Sequence, residues 1–380
     1  MPSGKRPVIS IFTVIFLLYG ALQFYVVTRV QTGLALGWPV TAVLGVWAAL
    51  MTVMPLLVWR WERRGWHQWV LAGAWIGYTW MGITFVFFWI SVALELARVV
   101  IRFAGGDVGP SAQGWFVLAC LLTTAVVIYG FTAARHVRIE RVTVPTTKLS
   151  PDSPTLRIAL ISDVHLGALL GTRRLRAVLK QVQALEPDVL VSAGDLVDGQ
   201  ADHLDGLAAM LAEYKPRYGK FAVTGNHEYF VGLEHALDFH DRAGFTMLRG
   251  AAVDIGGVAT LAGVDDPTGG RLGMPANTDE SSLLKRCPAD RFTILVKHQP
   301  RIDERVTGGF DLQLSGHVHK GQIFPFGLLV RLFYPLGTGL RRIAGGAWLY
   351  VSRGTGTWGP PMRVAAPPEI TLIEIEPVQH

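Results

Sequence analysis

The sequence predicts an α/β domain preceded by four membrane-spanning helices. The first 134 residues contain four long stretches without Asp, Glu, Lys or Arg, whereas short apolar runs alternate with helical patterns from residue 156 onward. Strands that alternate with helices indicate a largely parallel sheet, and the later runs of strands alone indicate a second sheet. We therefore expect a transmembrane region over 1–134, a linker over 135–155 and an α/β domain over 156–376.

Each uncharged stretch is longer than the about 20 residues that cross a bilayer core as a helix. The stretches are 7–28, 30–59, 65–94 and 108–134. Ten of the 12 Trp residues precede residue 135, and several stand at the ends of these stretches, as in interfacial belts. We expect helices at about 7–28, 38–59, 69–94 and 114–134. Buried core helices are the alternative, but uncharged runs this long are rare in soluble domains.

Charge is distributed unevenly along the chain. Residues 1–150 carry 12 Lys and Arg against 4 Asp and Glu, whereas the remainder carries 23 against 25. The pI near 9.4 therefore comes from the N-terminal region. The soluble part has no cationic excess that would neutralise a nucleic-acid backbone, so nucleic acid is not an expected partner. The two cysteines, Cys120 and Cys287, exclude a disulfide framework and a thiolate zinc cluster.

Lysine and arginine in the connections between the spans predict the orientation. One side of the membrane holds nine cations, namely Lys5, Arg6, Arg60, Arg63, Arg64, Arg135, Arg138, Arg141 and Lys148. The other side holds Arg29, Arg98 and Arg102. The side richer in cations faces the cytoplasm. We therefore expect a multi-pass inner-membrane protein with a cytoplasmic C-terminal domain.

Short apolar runs predict the elements of the α/β domain. The expected strands are Leu156–Ile161, Val189–Ser192, 221–224, 258–263, Phe292–Val296, 312–314, Trp348–Val351 and 370–375. The expected helices are 173–185 and 204–212.

Residue types that bind metals follow five of these strands. The motifs are Asp163-Val164-His165, Gly194-Asp195-Leu196-Val197-Asp198, Gly225-Asn226-His227-Glu228, Lys297-His298-Gln299-Pro300 and Gly316-His317-Val318-His319. Ligands of open α/β sheets bind beyond the carboxyl ends of the strands, so we expect these side chains at one rim. Each motif alone has an ordinary explanation, such as a helix cap at Asp163 or a turn at Asn226. Five motifs in this order favour a functional site.

The residue types in these motifs favour a pair of divalent metal ions. Carboxylate oxygen and imidazole nitrogen suit Mn, Fe, Zn or Co, and no thiolate is present to select zinc. Two ions about 3.5–4 Å apart need a bridging group such as a carboxylate, and together they clamp a phosphoryl group and lower the pKa of a shared water. His227 is a candidate proton donor to the leaving oxygen. Asp198 is more typical of a residue that supports a ligand.

These motifs resemble those of the calcineurin-like metallophosphoesterase family over about residues 156–376. The resemblance implies a four-layer α/β/β/α sandwich, in which two β-sheets are flanked by helices, and a metal-bound hydroxide that attacks phosphorus in line. Carried over by motif, the ligands of one metal are Asp163, His165 and His319, those of the other are Asn226, His298 and His317, and the bridging ligand is Asp195. His227 would contact the phosphate and assist the leaving group.

A closer resemblance is to the membrane-anchored bacterial branch of this family and to animal transmembrane proteins with a metallophosphoesterase domain. It rests on 298–300, on 316–322 and on the tail 351–361. Lys320 departs from this branch, which more often has a small residue there, and changes the rim of the site. The pyrophosphatase that cleaves UDP-diacylglucosamine is a more distant relative, because a different residue follows its motif asparagine.

The stretch 322–342 interleaves apolar and cationic residues shortly after His319. It has two interpretations. One is an interfacial flap that enters the bilayer and admits a lipid-linked phosphoester. The other is a hairpin packed against the sheet.

The expected function is that of a membrane-anchored enzyme with two divalent metal ions that hydrolyses a phosphodiester or pyrophosphate. A lipid-linked substrate is the favoured interpretation. The expected partners are a phosphoester substrate and the bilayer. Alternatives are a UDP-diacylglucosamine-type pyrophosphatase of lipid metabolism and a non-catalytic membrane scaffold of the same fold. A transporter is disfavoured because the spans contain no charged residue that would mark a path. A nuclease is disfavoured by the acidic balance of the soluble part.

Overall fold

The computed structural model of the chain describes residues 6–106, 109, 111–198 and 204–378. The chain forms two compact units. The first runs up to Arg135 and includes Gly359–Val364, and the second runs from His136 to Trp358 and resumes at Ala365. Lys5, one of the cations used to predict the orientation, lies outside the described residues.

Four long helices form the first unit. They are α1 (Arg6–Gly33), α2 (Trp38–Glu62), α3 (His67–Phe103) and α4 (Ala112–Arg135). Each is long and apolar enough to cross a membrane, which confirms the predicted four spans. α3 continues well past its predicted end at residue 94. Glu95 pairs there with Arg29 of α1 at 2.8 Å and with Arg98 at 3.0 Å, so the first charge ends the apolar run and not the helix.

The segment Gly359–Val364 belongs to the first unit, whereas the sequence placed it in the α/β domain over 156–376. Met362 is fully buried, and its side chain lies against Gly82 of α3 and Gly130 of α4. The backbone N–H of Arg363 donates to the carbonyl of Gly130 at 2.9 Å. A contact between helix glycines and a segment far away in the chain leaves no periodic pattern in the sequence. The sequence therefore could not predict that this segment belongs to the first unit.

The second unit contains two six-stranded sheets. One sheet has the order β1 (Arg138–Thr146), β12 (Glu369–Pro377), β2 (Leu156–Ile161), β3 (Val189–Ser192), β4 (Lys220–Ala222) and β5 (Thr246–Met247). The other has the order β10 (Gly339–Arg342), β11 (Trp348–Val351), β9 (Leu312–Ser315), β8 (Phe292–Val296), β7 (Ala259–Gly263) and β6 (Ala251–Ile255). The helices are α5 (Thr172–Ala184), α6 (Asp205–Glu213), α7 (Asn226–Phe230), α8 (Leu233–Arg242), α9 (Thr268–Arg271), α10 (Glu280–Leu284) and α11 (Phe326–Phe333).

Alternation of side chains along the strands explains the layers. In β2, Ile158 and Leu160 belong to the apolar cluster between the two sheets. Ala159 and Ile161 belong instead to the cluster that includes residues of α5, α6 and α8. Residues of β7 and β8 pack with those of α10 on the outer face of the second sheet. The order of helices, sheet, sheet and helices confirms the predicted α/β/β/α sandwich.

The prediction of a linker over 135–155 was wrong, because this segment contains β1. β1 pairs in parallel with β12 from Arg138↔Glu369 to Thr146↔Pro377. Val144 and Thr146 are buried, whereas Thr143 and Pro145 beside them are exposed. The alternation of apolar and polar residues predicts such a half-buried strand, and it outweighs the prolines and basic residues that favoured a linker.

Residues 322–342 do not form a hairpin packed against the sheet. α11 occupies much of the stretch and has no buried residue. Leu332 and Phe333 are 76% and 67% exposed, whereas Val330 and Tyr334 lie against the cluster formed by Val318 and residues of β11. α11 is therefore anchored along one edge and carries apolar side chains on its free surface.

Candidate metal centre

The predicted ligands lie in loops that leave the carboxyl ends of parallel strands. β2, β3 and β4 are parallel neighbours, as are β8 and β9. Their loops carry Asp163 and His165 after β2, Asp195 after β3, Asn226 after β4, His298 after β8, and His317 and His319 after β9. The structure brings these seven residues and His227 into one cluster, as the following distances show.

One group in the cluster consists of Asp163, His165 and His319. The two Nε2 atoms of His165 and His319 are 3.1 Å apart, and His319 Nε2 is 3.3 Å from Asp163 Oδ1. All three residues are buried, and their ligand atoms lie within 4.8 Å of one another. These are the residues predicted for one of the two metals.

The second group surrounds His298. Its Nε2 lies 3.1 Å from Asp195 Oδ2, 3.1 Å from His317 Nδ1 and 3.2 Å from Asn226 Oδ1. The same Asp195 oxygen is 3.9 Å from His165 Nε2 in the first group. Asp195 therefore lies between the two groups, at the position predicted for the bridging ligand.

The electrostatics of the cluster fit divalent cations. Asp163 and Asp195 are almost fully buried, and within the described part of the chain neither pairs with Lys or Arg. A buried carboxylate without a compensating charge is costly. Burial alone would lower the pKa of His298, yet Asp195 and Asp163 raise it well above its usual value. Burial and the nearby His298 lower the pKa of His317 to about 3, so the neutral imidazole has one ring nitrogen with a lone pair for a metal.

Five of the predicted ligands have a left-handed backbone. Asp163, His165, Asp195, His317 and His319 have φ angles between 45° and 72°. Non-glycine residues adopt this conformation at a cost of about 1–3 kcal/mol each, and such residues concentrate at functional sites. No sequence pattern predicts this feature.

Motif glycines allow the loops to approach one another. A Cβ on Gly225 would overlap Asp195 Oδ1, and a Cβ on Gly316 would overlap Ser162 Oγ and Asp163 Oδ2. Any side chain at these positions would displace a carboxylate of the cluster. The glycines of these two motifs are therefore required for close packing and not as turn residues alone.

His227 lies at the edge of the cluster and is held by Asp198. Its Nδ1 is 2.5 Å from Asp198 Oδ1. Burial alone would lower the pKa of His227, but Asp198 and Asp195 raise it to about 9. The aromatic rings of Phe230 and Trp358 contact the imidazole, with centroids 5.4 and 5.9 Å away. The imidazole is thus oriented by one carboxylate and flanked by two aromatic rings.

Glu228 is a supporting residue that sequence reasoning did not single out. Its buried carboxylate accepts hydrogen bonds from the backbone N–H groups of Asp195 at 3.0 Å, Leu196 at 2.8 Å and Gly225 at 2.6 Å. It therefore joins the loop of the bridging aspartate to the loop that carries Asn226 and His227. A glutamate three residues after the residue that caps α7 is the signal that could have identified it.

Comparison with known proteins shows the family of this chain. The calcineurin-like phosphoesterase family matches residues 156–321. An uncharacterized metallophosphoesterase of Aquifex aeolicus (strain VF5) is 43% identical over 249 residues, which are 65% of this chain and 95% of that protein. A transmembrane protein with metallophosphoesterase domain from Danio rerio is 34% identical over 68% of this chain and 62% of that protein. Among solved structures, a 5′-nucleotidase precursor of Thermus thermophilus is similar over 58% of this chain and 54% of that one, at 16% identity and a TM-score of 0.37.

The fold, the clustered ligands and the relatives define a class of metal-dependent phosphoric ester hydrolases. The chain belongs to the calcineurin-like metallophosphoesterase family. The four apolar helices and the transmembrane relatives also make it a membrane protein. The predictions of the family and of a hydrolase are thereby confirmed, and the clustered His and Asp residues fit a divalent metal centre. The aligned region spans 62% of the length of the Danio rerio relative.

Proposed function

We propose that this protein is a membrane-anchored phosphoesterase that hydrolyses a phosphodiester or a pyrophosphate at two divalent metal ions. The observation that supports this best is the position of Asp195, whose Oδ2 lies 3.1 Å from His298 and 3.9 Å from His165. A carboxylate shared by two groups of ligands is what a dinuclear centre requires. A single-metal site would have no use for a second group of convergent imidazoles.

The ligands divide into two sets with one shared member. The first set is Asp163, His165 and His319, the second is Asn226, His298 and His317, and Asp195 is shared. When bound, two ions of Mn, Fe, Zn or Co would polarise the phosphoryl oxygens and lower the pKa of a coordinated water. Glu228 keeps the shared aspartate in place through the backbone of both neighbouring loops.

His227 acts as the general acid in this proposal. With Nδ1 engaged by Asp198, its proton donor to substrate is Nε2. The raised pKa of about 9 keeps the imidazole protonated at neutral pH, as protonation of a leaving oxygen requires. Asp198 positions the ring and stabilises its charge.

A lipid-linked substrate is favoured by α11. Its free surface carries Phe326, Leu328, Leu329, Leu332 and Phe333, all exposed, and Arg331 lies among them. Apolar side chains interspersed with cations suit the surface of an anionic bilayer. Tyr334, directly after α11, contacts the ligand His317 with ring centroids 5.3 Å apart. One end of α11 thus adjoins the metal site.

The active site faces the cytoplasm in this proposal. The basis is the excess of cations in 60–64 and 135–148 over those in the opposite connections. Substrates are then esters presented at the inner face of the inner membrane.

The direct test is hydrolysis by the purified full chain, reconstituted with Mn²⁺ and assayed against phosphomonoesters, phosphodiesters and nucleotide-lipid pyrophosphates. Asp195→Asn removes the shared negative charge and should lower turnover of the best substrate by about 10²–10³-fold, the scale of a key electrostatic group. Asp238→Asn, at a largely exposed aspartate on α8 that pairs with Arg242, is the matched control and should keep full activity. Unchanged turnover in Asp195→Asn would contradict a bridging role.

A further inference from the structure

Arg301 is a cation held beside the metal site by a specific scaffold. It follows the ligand His298 by three residues, and its Nε donates to Gln299 Oε1 at 3.2 Å. Its Cζ lies 5.4 Å from the centre of the Tyr334 ring. Tyr334 itself packs edge-on against His317, with ring centroids 5.3 Å apart. One aromatic ring therefore separates the guanidinium from a predicted metal ligand.

The scaffold that holds Arg301 is buried and polar. Gln299 is buried, and its Nε2 donates to both oxygens of Asp266, at 2.9 and 3.1 Å. This orients the amide so that Oε1 accepts from Arg301 and from the hydroxyl of Tyr334, the latter at 3.2 Å. Asp266 is itself fixed by the backbone N–H of Thr268 at 2.8 Å. The position of Arg301 thus results from a buried network and not from a flexible surface.

Arg301 has no acidic partner among the residues that the structure describes, unlike several arginines of the second unit. Several of those arginines form ion pairs with carboxylates: Arg249 with Asp265, Arg291 with Asp254, Arg305 with Asp303 and Arg353 with Glu369. Arg301 forms no ion pair within the residues that the structure describes, although its side chain is exposed. A guanidinium has five N–H donors in a fork that matches phosphate and carboxylate, and here one of them is used internally. The remaining donors are available to a ligand.

The surroundings of the metal cluster are therefore asymmetric. Arg301 lies on the side of His317, with the Tyr334 ring between the guanidinium and the imidazole. His227 is flanked instead by the aromatic rings of Phe230 and Trp358. The part of the substrate near His317 meets a cation, whereas the leaving group near His227 meets apolar rings.

We propose that Arg301 binds a second phosphoryl group of the substrate, carried on the part that is retained when the ester bond breaks. This rests on the proposed function and deepens it, because it selects substrates with two anionic groups. The second group is either the terminal phosphate of a diphosphate ester whose ester P–O bond breaks, or a phosphate further along the retained headgroup. Both sources offer the oxygens that a guanidinium fork recognises.

The test compares 4-nitrophenyl phosphodiesters whose retained groups are propyl or 3-phosphonopropyl, together with the corresponding 4-nitrophenyl diphosphate ester. The full chain in detergent with Mn²⁺ should show a lower KM for at least one of the doubly anionic esters than for the propyl ester. Arg301→Gln should raise that KM about tenfold and leave kcat and both constants for the propyl ester unchanged. Arg301→Lys, which keeps the charge without the fork, should recover part of the loss.

Two controls separate the outcomes. Arg305→Gln, at an 87% exposed arginine paired with Asp303, should match the wild type on all three esters. Binding of non-hydrolysable phosphonate analogues, measured by calorimetry, should give the same ranking without turnover. Equal effects of Arg301→Gln on all esters, or none, would overturn the subsite while leaving the hydrolase intact. Failure of the wild type to cleave any ester would instead overturn the proposed function, and the subsite with it.

Discussion

The metal cluster and α11 both reverse the usual distribution of side chains, but in opposite ways. The cluster buries the carboxylates of Asp163 and Asp195, whereas α11 exposes Leu332 and Phe333. Buried charges need a partner of opposite sign, and contiguous exposed apolar residues indicate an interaction surface. The former requires a cation and the latter an apolar medium. Both features fit this protein, because its four apolar helices place it in a membrane and its family uses divalent metals.

The two regions also differ in how they are supported. The cluster is held by buried groups such as Glu228, which fixes two loops through their backbone. α11 has no buried residue of its own and relies on contacts of Val330 and Tyr334. Changes to the residues that hold the cluster together should therefore affect all substrates, whereas changes on α11 should affect only those presented by a membrane.

Of the two regions, the cluster should show the larger effect, and Glu228→Gln tests its support. The variant replaces a carboxylate that accepts backbone N–H bonds from two loops with an amide that has one acceptor oxygen. We expect hydrolysis of a soluble ester and of a lipid ester to fall together by about 10–100-fold, the range for residues that orient metal ligands. Steady-state kinetics at saturating Mn²⁺ measures this.

Glu234→Gln is the control for this change, because Glu234 is an exposed residue on the next helix, α8. It should behave as the wild type. Full activity of Glu228→Gln on both esters would mean that other contacts hold the loops, and it would contradict the supporting role of Glu228.

A smaller and more selective effect is expected from Leu332→Glu on α11. Burying a leucine in an apolar medium stabilises by about 1.5–3 kcal/mol, and a glutamate would oppose insertion. In proteoliposomes, kcat/KM for a lipid phosphodiester should fall about tenfold, while that for bis(4-nitrophenyl) phosphate stays unchanged. Leu272→Glu, at a partly exposed leucine just after α9, is the control. Equal losses on both substrates would contradict membrane contact by α11.

The sequence predicted the cluster far better than its surroundings. Five motifs after five apolar runs were enough to predict Asp163, Asp195 and the histidines, because parallel strands end at one edge of a sheet. Short apolar runs between helical patterns likewise predicted the α/β domain, and uncharged length predicted the four helices. These are local patterns, and the chain displays them directly.

The surroundings depend on contacts between distant residues, which no local pattern displays. Arg301 and Tyr334 are far apart in the sequence and lie together only in the folded domain. Trp358 contacts His227 from a loop outside the five motifs that contain the predicted metal ligands. β1 was missed for a different reason, since its proline and charges concealed a period of two. Left-handed backbone at Asp163 and His319 also follows from the packed fold and not from residue type.

The most direct test of a dinuclear centre is the metal content of the purified full chain, measured by elemental analysis after equilibration with Mn²⁺. The wild type should contain two ions per chain. His319→Ala and His317→Ala remove ligands from different groups, and each should reduce the content to about one ion, because the two proposed ligand sets share only Asp195. One ion in the wild type, or complete loss in either variant with the fold retained, would contradict two separately held metals bridged by Asp195.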